Sequence, residues 1–256
     1  MKLLTTLCAC LAMGGCASLP SGQPDPRDPW ERFNRASFKL NDGLDRAILR
    51  PTARAYVKVT PRLIRTGISN FFSNLETVTT LVNNSLQGKG RAAGQDAARL
   101  VLNSTLGLGG LFDPATAAGI EKNDEDFGQT LGAWGMRSGP YLMVPLLGPS
   151  TVRDTLARVP DRFTDPSHYL EDDSTRYTIT AVEIIDLRVG LLPLDKQLAE
   201  SFDRYAFVRN AWLQRREYKV SDGNVEDDFE DDFQDDFPEE ESSGDAEPPP
   251  EGGSEQ

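Results

Sequence analysis

The sequence predicts an all-α body, interrupted once by a Gly/Pro-rich hairpin and followed by a disordered acidic tail. Three observations predict this. Between residues 30 and 220, apolar residues recur mainly at three- and four-residue spacing, the period of an amphipathic helix, while alternating strand patterns are scarce. Residues 134–154, WGMRSGPYLMVPLLGPSTVRD, break that period with two Gly-Pro pairs around an apolar run. From Ser221 to Gln256 there are 16 Asp and Glu and no Lys or Arg, too much charge for the segment to fold alone. The formal charge of −13 is thereby located, because residues 1–220 carry 27 basic and 24 acidic side chains. A nearly neutral body with an acidic tail argues against nucleic acid as a partner.

The chain opens MKLLTTLCACLAMGGCAS. Lys2, then Leu3, Leu4, Leu7, Leu11, Ala12 and Met13, then small Gly14 and Gly15, have the layout of a secretory signal that is too short to span a bilayer. A cysteine directly after the small pair resembles the bacterial lipobox. Residues 1–15 are expected to be a lipoprotein signal peptide and Cys16 the lipid anchor. The competing reading, a buried thiol in a first helix, fits such a peptide poorly. Cys8 and Cys10 leave with the signal, so neither a disulfide nor a cysteine metal site is expected. Residues 16–29 then form the lipidated cysteine and a tether, whose Pro20, Pro24, Pro26 and Pro29 favour extended backbone reaching on the order of 35 Å.

The helical domain is expected over 30–220. Phe33, Leu40, Leu44 and Ile48 share one face before Pro51, expected to end the first segment. Pro61 opens a second run with Ile64, Ile68, Phe71, Phe72 and Leu75. A third passes through Val78, Leu81 and Val82 to the stop at Gly88 and Gly90, and Ala93, Ala97, Leu100 and Val101 mark a fourth. In the interruption, Gly139-Pro140 and Gly148-Pro149 bracket YLMVPLL. Pro145 forbids both a regular helix and a central strand, so an extended apolar loop or hairpin is expected, with Ser150 capping the next helix. Leu194, Leu198, Phe202, Tyr205, Val208 and Trp212 draw a long final stripe. In the tail, 221–256, Phe229, Phe233 and Phe237 recur every four residues, which fits a solvated tail or a docking peptide.

Catalytic chemistry is poorly supported, and the chain is expected not to be an enzyme. The single histidine, His168, lies in the polar stretch DPSHYLEDD, and no nucleophile elbow accompanies it. GLGG at 107–110 lacks the third glycine of a dinucleotide loop. Metal-ligand spacings are absent, and Asp124, Glu125 and Asp126 read as a charged helix start. No catalytic residue, metal or cofactor is expected. What the chain supplies is amphipathic surface. Taken alone, each stripe is more often a core face than a membrane face. A lipid on Cys16 favours the membrane, since one apolar helix face adds enough to the acyl chains for stable attachment. No run after residue 16 has the 18 or so apolar residues that spanning by one helix requires.

DPWERFNRASFKLND at 28–42, VNNSLQG at 82–88, LNSTLGLGGLFDPA at 102–115 and EDFGQTLGAWGMRSGPYLMVPLLGPSTVRD at 125–154 together resemble the MlaA family, also called VacJ. The resemblance covers roughly residues 28–218. It implies a ring of helices in the inner leaflet of the outer membrane, lipid-anchored at the periplasmic face. Ala17 after Cys16 fits the sorting rule of such lipoproteins. It implies a passive channel that removes misplaced phospholipids from the outer leaflet and passes them to a soluble periplasmic carrier, beside a porin trimer. Gly135, Gly139, Pro140, Gly148 and Pro149 are then candidates for a flexible channel wall, or only for turns. Asn34 and Asn41 match a region that bears on gating, and Arg153 and Asp154 are expected to pair as structure. Two other readings stand beside the channel: an envelope lipoprotein that links partners without moving lipid, and, less supported, a lipid hydrolase.

Overall fold

The structure is a computed structural model, and residues 25–224 are described. The expected signal peptide, the candidate anchor Cys16, most of the expected tether and nearly all of the acidic segment with its phenylalanines lie outside the described residues.

Helix α1 (Glu31–Leu44) does not stop at Pro51. The backbone widens into a π-helical turn at Asp45–Leu49 and continues as α2 (Arg50–Val59), with Pro51 in its first turn, where a missing N–H costs least. The two runs expected between Pro61 and Gly88 are one helix, α3 (Arg62–Leu86), because nothing in Phe72–Val78 breaks the ladder. α4 (Gly90–Thr105), α5 (Pro114–Ala117) and α6 (Phe127–Ala133) follow. Strands β1 (Tyr141–Val144) and β2 (Gly148–Thr151) form the hairpin, paired antiparallel from Tyr141 with Thr151 to Val144 with Gly148. Then come α7 (Val152–Thr164), a 3₁₀ turn at Pro166–Tyr169, α8 (Asp173–Gly190), a 3₁₀ turn at Leu192–Leu194, α9 (Asp195–Glu200) and α10 (Arg204–Val220).

Two expectations about ends are corrected. Ser150 belongs to β2, and it is Thr151 whose Oγ1 accepts from the Asp154 N–H at 3.2 Å to cap α7. The stripe from Leu194 to Trp212 is not one helix. Asp203 interrupts it because its carboxylate caps α10, accepting from the N–H groups of Tyr205 and Ala206.

The interior is inverted relative to a water-soluble helical domain. Among the described residues the buried apolar side chains are Ala53, Ala115, Tyr141, Met143, Ala157 and Tyr205, against 20 buried polar or charged ones. Large apolar side chains point outward on every long helix, with Ile48 56%, Val101 61%, Leu156 65% and Leu187 65% exposed. The first stripe, Phe33, Leu40 and Ile48, faces out rather than in. Polar networks therefore do the work that a hydrophobic core normally does. On α3, Asn74, Thr77, Thr80, Asn83 and Asn84 form a buried stripe of uncharged polar residues. Asn84 donates to Asp96 of α4 at 2.7 Å, and Asn83 accepts from the Thr130 hydroxyl of α6 at 2.7 Å. Beneath α5, Arg99 donates to Asp113, Thr116 and the Ile120 carbonyl, while Asn103 joins Asp113 to the Ala115 N–H. Among the described residues no helix is long and apolar enough to cross a membrane.

Candidate functional site

The hairpin is held by two asparagines seven residues apart on α1. β2 occupies one edge of β1, and side-chain amides pair with the other. Asn34 Nδ2 donates to the Tyr141 carbonyl at 3.0 Å and its Oδ1 accepts from Met143 N–H at 2.8 Å. Asn41 repeats the pattern one step on, donating to the Val144 carbonyl at 3.0 Å and accepting from Leu146 N–H at 2.7 Å. Each amide supplies one donor and one acceptor, the complement of a strand edge, and the spacing of two helical turns places both on one face. The gating-region candidates are thus bound to the hairpin, through Tyr141, Met143, Val144 and Leu146 rather than through the candidate glycines and prolines of its wall.

Pro145 and Leu146 occupy the centre of the hairpin turn, closed by Leu147 N–H to the Val144 carbonyl at 3.2 Å. Leu146 has φ +68°, a conformation that normally calls for Gly or Asn, and Leu146 and Leu147 project from the tip into open space. Gly148, at φ +85°, has nothing within reach of a Cβ, so backbone conformation rather than room is what selects glycine there. Gly135 and Gly139 also have positive φ, and Pro140 accepts from Val152 N–H through its carbonyl at 3.1 Å, closing the base of the hairpin.

Asn34 is also tied to the C-terminal helix. Its Nδ2 donates to Asp28 at 2.7 Å, and Asp28, 1% exposed, accepts from Arg209 Nη1 at 3.1 Å and from the Tyr205 hydroxyl. Burial in this cluster pushes the Tyr205 and Tyr141 hydroxyls well above the usual phenol range, with the Asp28 charge adding to it.

On the far side of the hairpin lies a cavity of about 270 Å³, lined by Pro149 and Ser150 of β2, Asp126 before α6, Asp154, Arg158 and Asp161 of α7, and Trp212, Arg216 and Lys219 of α10, with Arg215 on α10 as well. Arg216 is spent on structure. It grips Asp126 at 2.6 and 2.7 Å and Asp154 at 2.8 and 3.0 Å. Gly128 must be glycine beneath this pair, since a Cβ would come within 2.3 Å of Arg216 Nη2 and 2.4 Å of Asp154 Oδ1. Burial works to raise the Asp126 pKa, and the Arg216 guanidinium overcomes it and holds the carboxyl below its usual range.

Asp161 differs. Its Oδ1 accepts from Phe127 N–H at 2.9 Å and from Asn83 at 3.4 Å, but burial, with the nearby Asp126 charge, raises it to about 6. A carboxyl whose folded pKa lies above its unfolded value favours the fold below the unfolded pKa and loses that contribution as pH rises through about 6. Asp161→Asn, which keeps an acceptor for Phe127, is therefore expected to raise the thermal midpoint at pH 7.5 and to leave it nearly unchanged at pH 4, as read by thermal denaturation in detergent at the two pH values.

Arg153 and Asp154 pair at 3.0 Å within the fold, and Asp154 also receives Arg216. The three acids before α6 are not one helix start. Asp126 caps the helix, while Asp124 and Glu125 pair with Lys219 and Lys89 from the preceding loop. His168 lies in the 3₁₀ turn against Phe163 and Tyr169, away from the residues lining the cavity. Gly107–Gly110 closes a turn beside Asn103 and Asn74. Among the described residues no group of His, Cys, Asp or Glu is placed to hold a metal ion. Sequence reasoning missed Asp28, Asp161, Arg209 and Arg216, whose partners lie too far along the chain for spacing to reveal, and Arg158, which has no ion pair or hydrogen bond among the described residues.

The chain is similar to known proteins over most of its described length. Residues 26–219 match the family described as MlaA lipoprotein. An uncharacterised protein of Rickettsia typhi is 36% identical over 195 residues, covering 75% of this chain and 78% of the relative. The intermembrane phospholipid transport system lipoprotein MlaA of Escherichia coli K12 is 35% identical over 217 residues, covering 82% and 85%. A solved structure described as "Structural basis for maintenance of bacterial outer membrane lipid asymmetry" superposes with a TM-score of 0.68 at 38% identity, covering 75% of this chain and 98% of that one. With the match running from just before α1 to the end of α10, the chain belongs to the MlaA lipoprotein family.

Proposed function

We propose that this protein is an outer-membrane lipoprotein of intermembrane phospholipid transport that keeps phospholipid out of the outer leaflet. In this reading its apolar exterior lies among acyl chains of the inner leaflet, with the periplasm beneath it. The polar interior and the hairpin wall let phospholipid leave the outer leaflet toward a soluble periplasmic carrier, beside a porin trimer. It is a passive conduit rather than an enzyme, so direction comes from whatever consumes the delivered lipid.

The observation that carries the reading is the inversion of the fold. There are 29 large apolar side chains exposed among the described residues. At about 1.5–3 kcal/mol for each such side chain fully buried, leaving them in water forgoes stabilisation on the order of tens of kcal/mol, which an acyl-chain environment returns. Buried polar side chains such as Asn34, Asn84, Arg99 and Arg209 meanwhile meet protein partners, as polar groups at membrane depth must. The names of the Escherichia coli relative and of the solved neighbour point the same way.

The test is to extract the full chain in mild detergent, assay co-purifying phospholipid by mass spectrometry, and measure outer-leaflet phospholipid in cells lacking the gene. Bound phospholipid and raised outer-leaflet phospholipid are expected. A lipid-free protein with unchanged asymmetry would favour a linker that moves no lipid, and release of fatty acid from phospholipid by the purified protein would make it a hydrolase.

A further inference from the structure

We propose that the cavity between β2, α6, α7 and α10 is a binding site for a zwitterionic phospholipid headgroup, in which Arg158 takes the phosphate and Asp161 the ammonium. This rests on the phospholipid-transport reading and adds to it a headgroup preference and the residues that set it.

The argument is one of accounting for charge. Around this cavity Arg216 is consumed by Asp126 and Asp154, and Lys219 by Asp124. Two charges remain. Arg158 has no ion pair or hydrogen bond among the described residues although it is half-buried, and Asp161 uses only Oδ1, leaving Oδ2 without a protein partner. Both line the same cavity from one helix, three residues apart, yet they do not pair with each other. Residues so placed on a helix face lie within pairing reach of one another. Burial lowers the Arg158 pKa, only partly offset by the Asp154 and Asp126 charges, and it raises that of Asp161 despite the contacts from Phe127 N–H and Asn83, so each group carries a desolvation cost that its protein surroundings repay only in part.

A ligand with a phosphate and an ammonium a few atoms apart, as in phosphoethanolamine, meets both at once. The guanidinium binds phosphate through paired N–H donors, and the free carboxylate oxygen accepts from the ammonium. Arg215, exposed at the rim and without an ion pair among the described residues, adds positive potential at the entrance. A purely anionic headgroup satisfies Arg158 but leaves Asp161 unpaired beside added negative charge, so it is disfavoured.

The experiment uses the full chain in detergent with equimolar phosphatidylethanolamine and phosphatidylglycerol of identical acyl chains, and native mass spectrometry of the one-lipid adduct. The wild type is expected to carry phosphatidylethanolamine over phosphatidylglycerol by about tenfold, the size of one charged hydrogen-bonded contact. Asp161→Asn is expected to bring the ratio near unity, and Arg158→Gln to weaken both adducts by about tenfold. Neither substitution breaks an ion pair in the fold, and Arg158→Lys, which keeps the charge, is expected to restore part of the binding. An Asp161→Asn ratio equal to wild type, or undiminished adducts in Arg158→Gln, would overturn the headgroup site while leaving transport intact. Absence of any lipid adduct from every variant would overturn the transport reading together with it.

Discussion

Asp28→Ala is expected to destabilise the fold by about 3–5 kcal/mol, the cost of stranding a buried charge. The carboxylate is the meeting point of three donors from two helices. Asn34 from α1 and Tyr205 and Arg209 from α10 all donate to it, and Arg209 is itself almost fully buried. Without Asp28 the Arg209 guanidinium keeps its 3.1 Å contact to Asp25 and its Nε donation to Asn210 at 3.1 Å, and Asn34 keeps only the hairpin backbone. Since domains are stable by about 5–15 kcal/mol, this change alone consumes a large part of the margin. Asp28→Ala combined with Arg209→Met is expected to recover much of the loss, because removing both charges leaves neither uncompensated. Chemical denaturation of the two variants in the same detergent reads both effects, and equal losses in the single and double variants would contradict the assignment.

Asn41→Ala is expected to free the hairpin tip while the rest of the fold stays intact. It removes the partner of Leu146 N–H and of the Val144 carbonyl, near a turn already strained at Leu146. Two hydrogen bonds at about 1 kcal/mol each correspond to opening of the tip roughly 30-fold more often. Amide exchange at Leu146 is expected to accelerate by about that factor, with α4 unchanged. Asn34→Ala is expected to cost more stability, because its partners at Tyr141 and Met143 are buried whereas the Asn41 contacts sit near the exposed tip. Exchange at Leu146 that does not respond to Asn41→Ala would mean that the amide contacts do not restrain the hairpin.

Much of this was legible in the sequence, and the limits have physical causes. Helical periodicity located α1, α3, α4 and α10, and two Gly-Pro pairs around Pro145 located the hairpin. Periodicity does not say which face is inside, because a stripe at i, i+3, i+4 suits a core and an acyl-chain environment equally. A signal that does say so was present on α3. Its non-apolar stripe is Asn74, Thr77, Thr80, Asn83 and Asn84, uncharged side chains that bond to neighbouring helices or to their own backbone, rather than the Lys and Glu of a solvated face. The hairpin candidates were found by residue type, but their attachment was not, since Asn41 reaches Val144 across 103 residues and Arg209 reaches Asp28 across 181. Pro51 misled because a π turn lets the helix pass through it, and the final stripe misled because Asp203 caps a new helix inside it.

The inverted packing is tested most directly by the three tryptophans. Trp30 and Trp134 point outward, 46% and 57% exposed, while Trp212 packs on Tyr141 at 6.1 Å between ring centroids and lines the polar cavity. Single-tryptophan variants reconstituted into vesicles whose acyl chains carry bromine are expected to show strong fluorescence quenching at Trp30 and Trp134 and much weaker quenching at Trp212. Equal quenching at all three, or outward tryptophans quenched only by water-soluble agents, would contradict a fold that turns its apolar side to lipid.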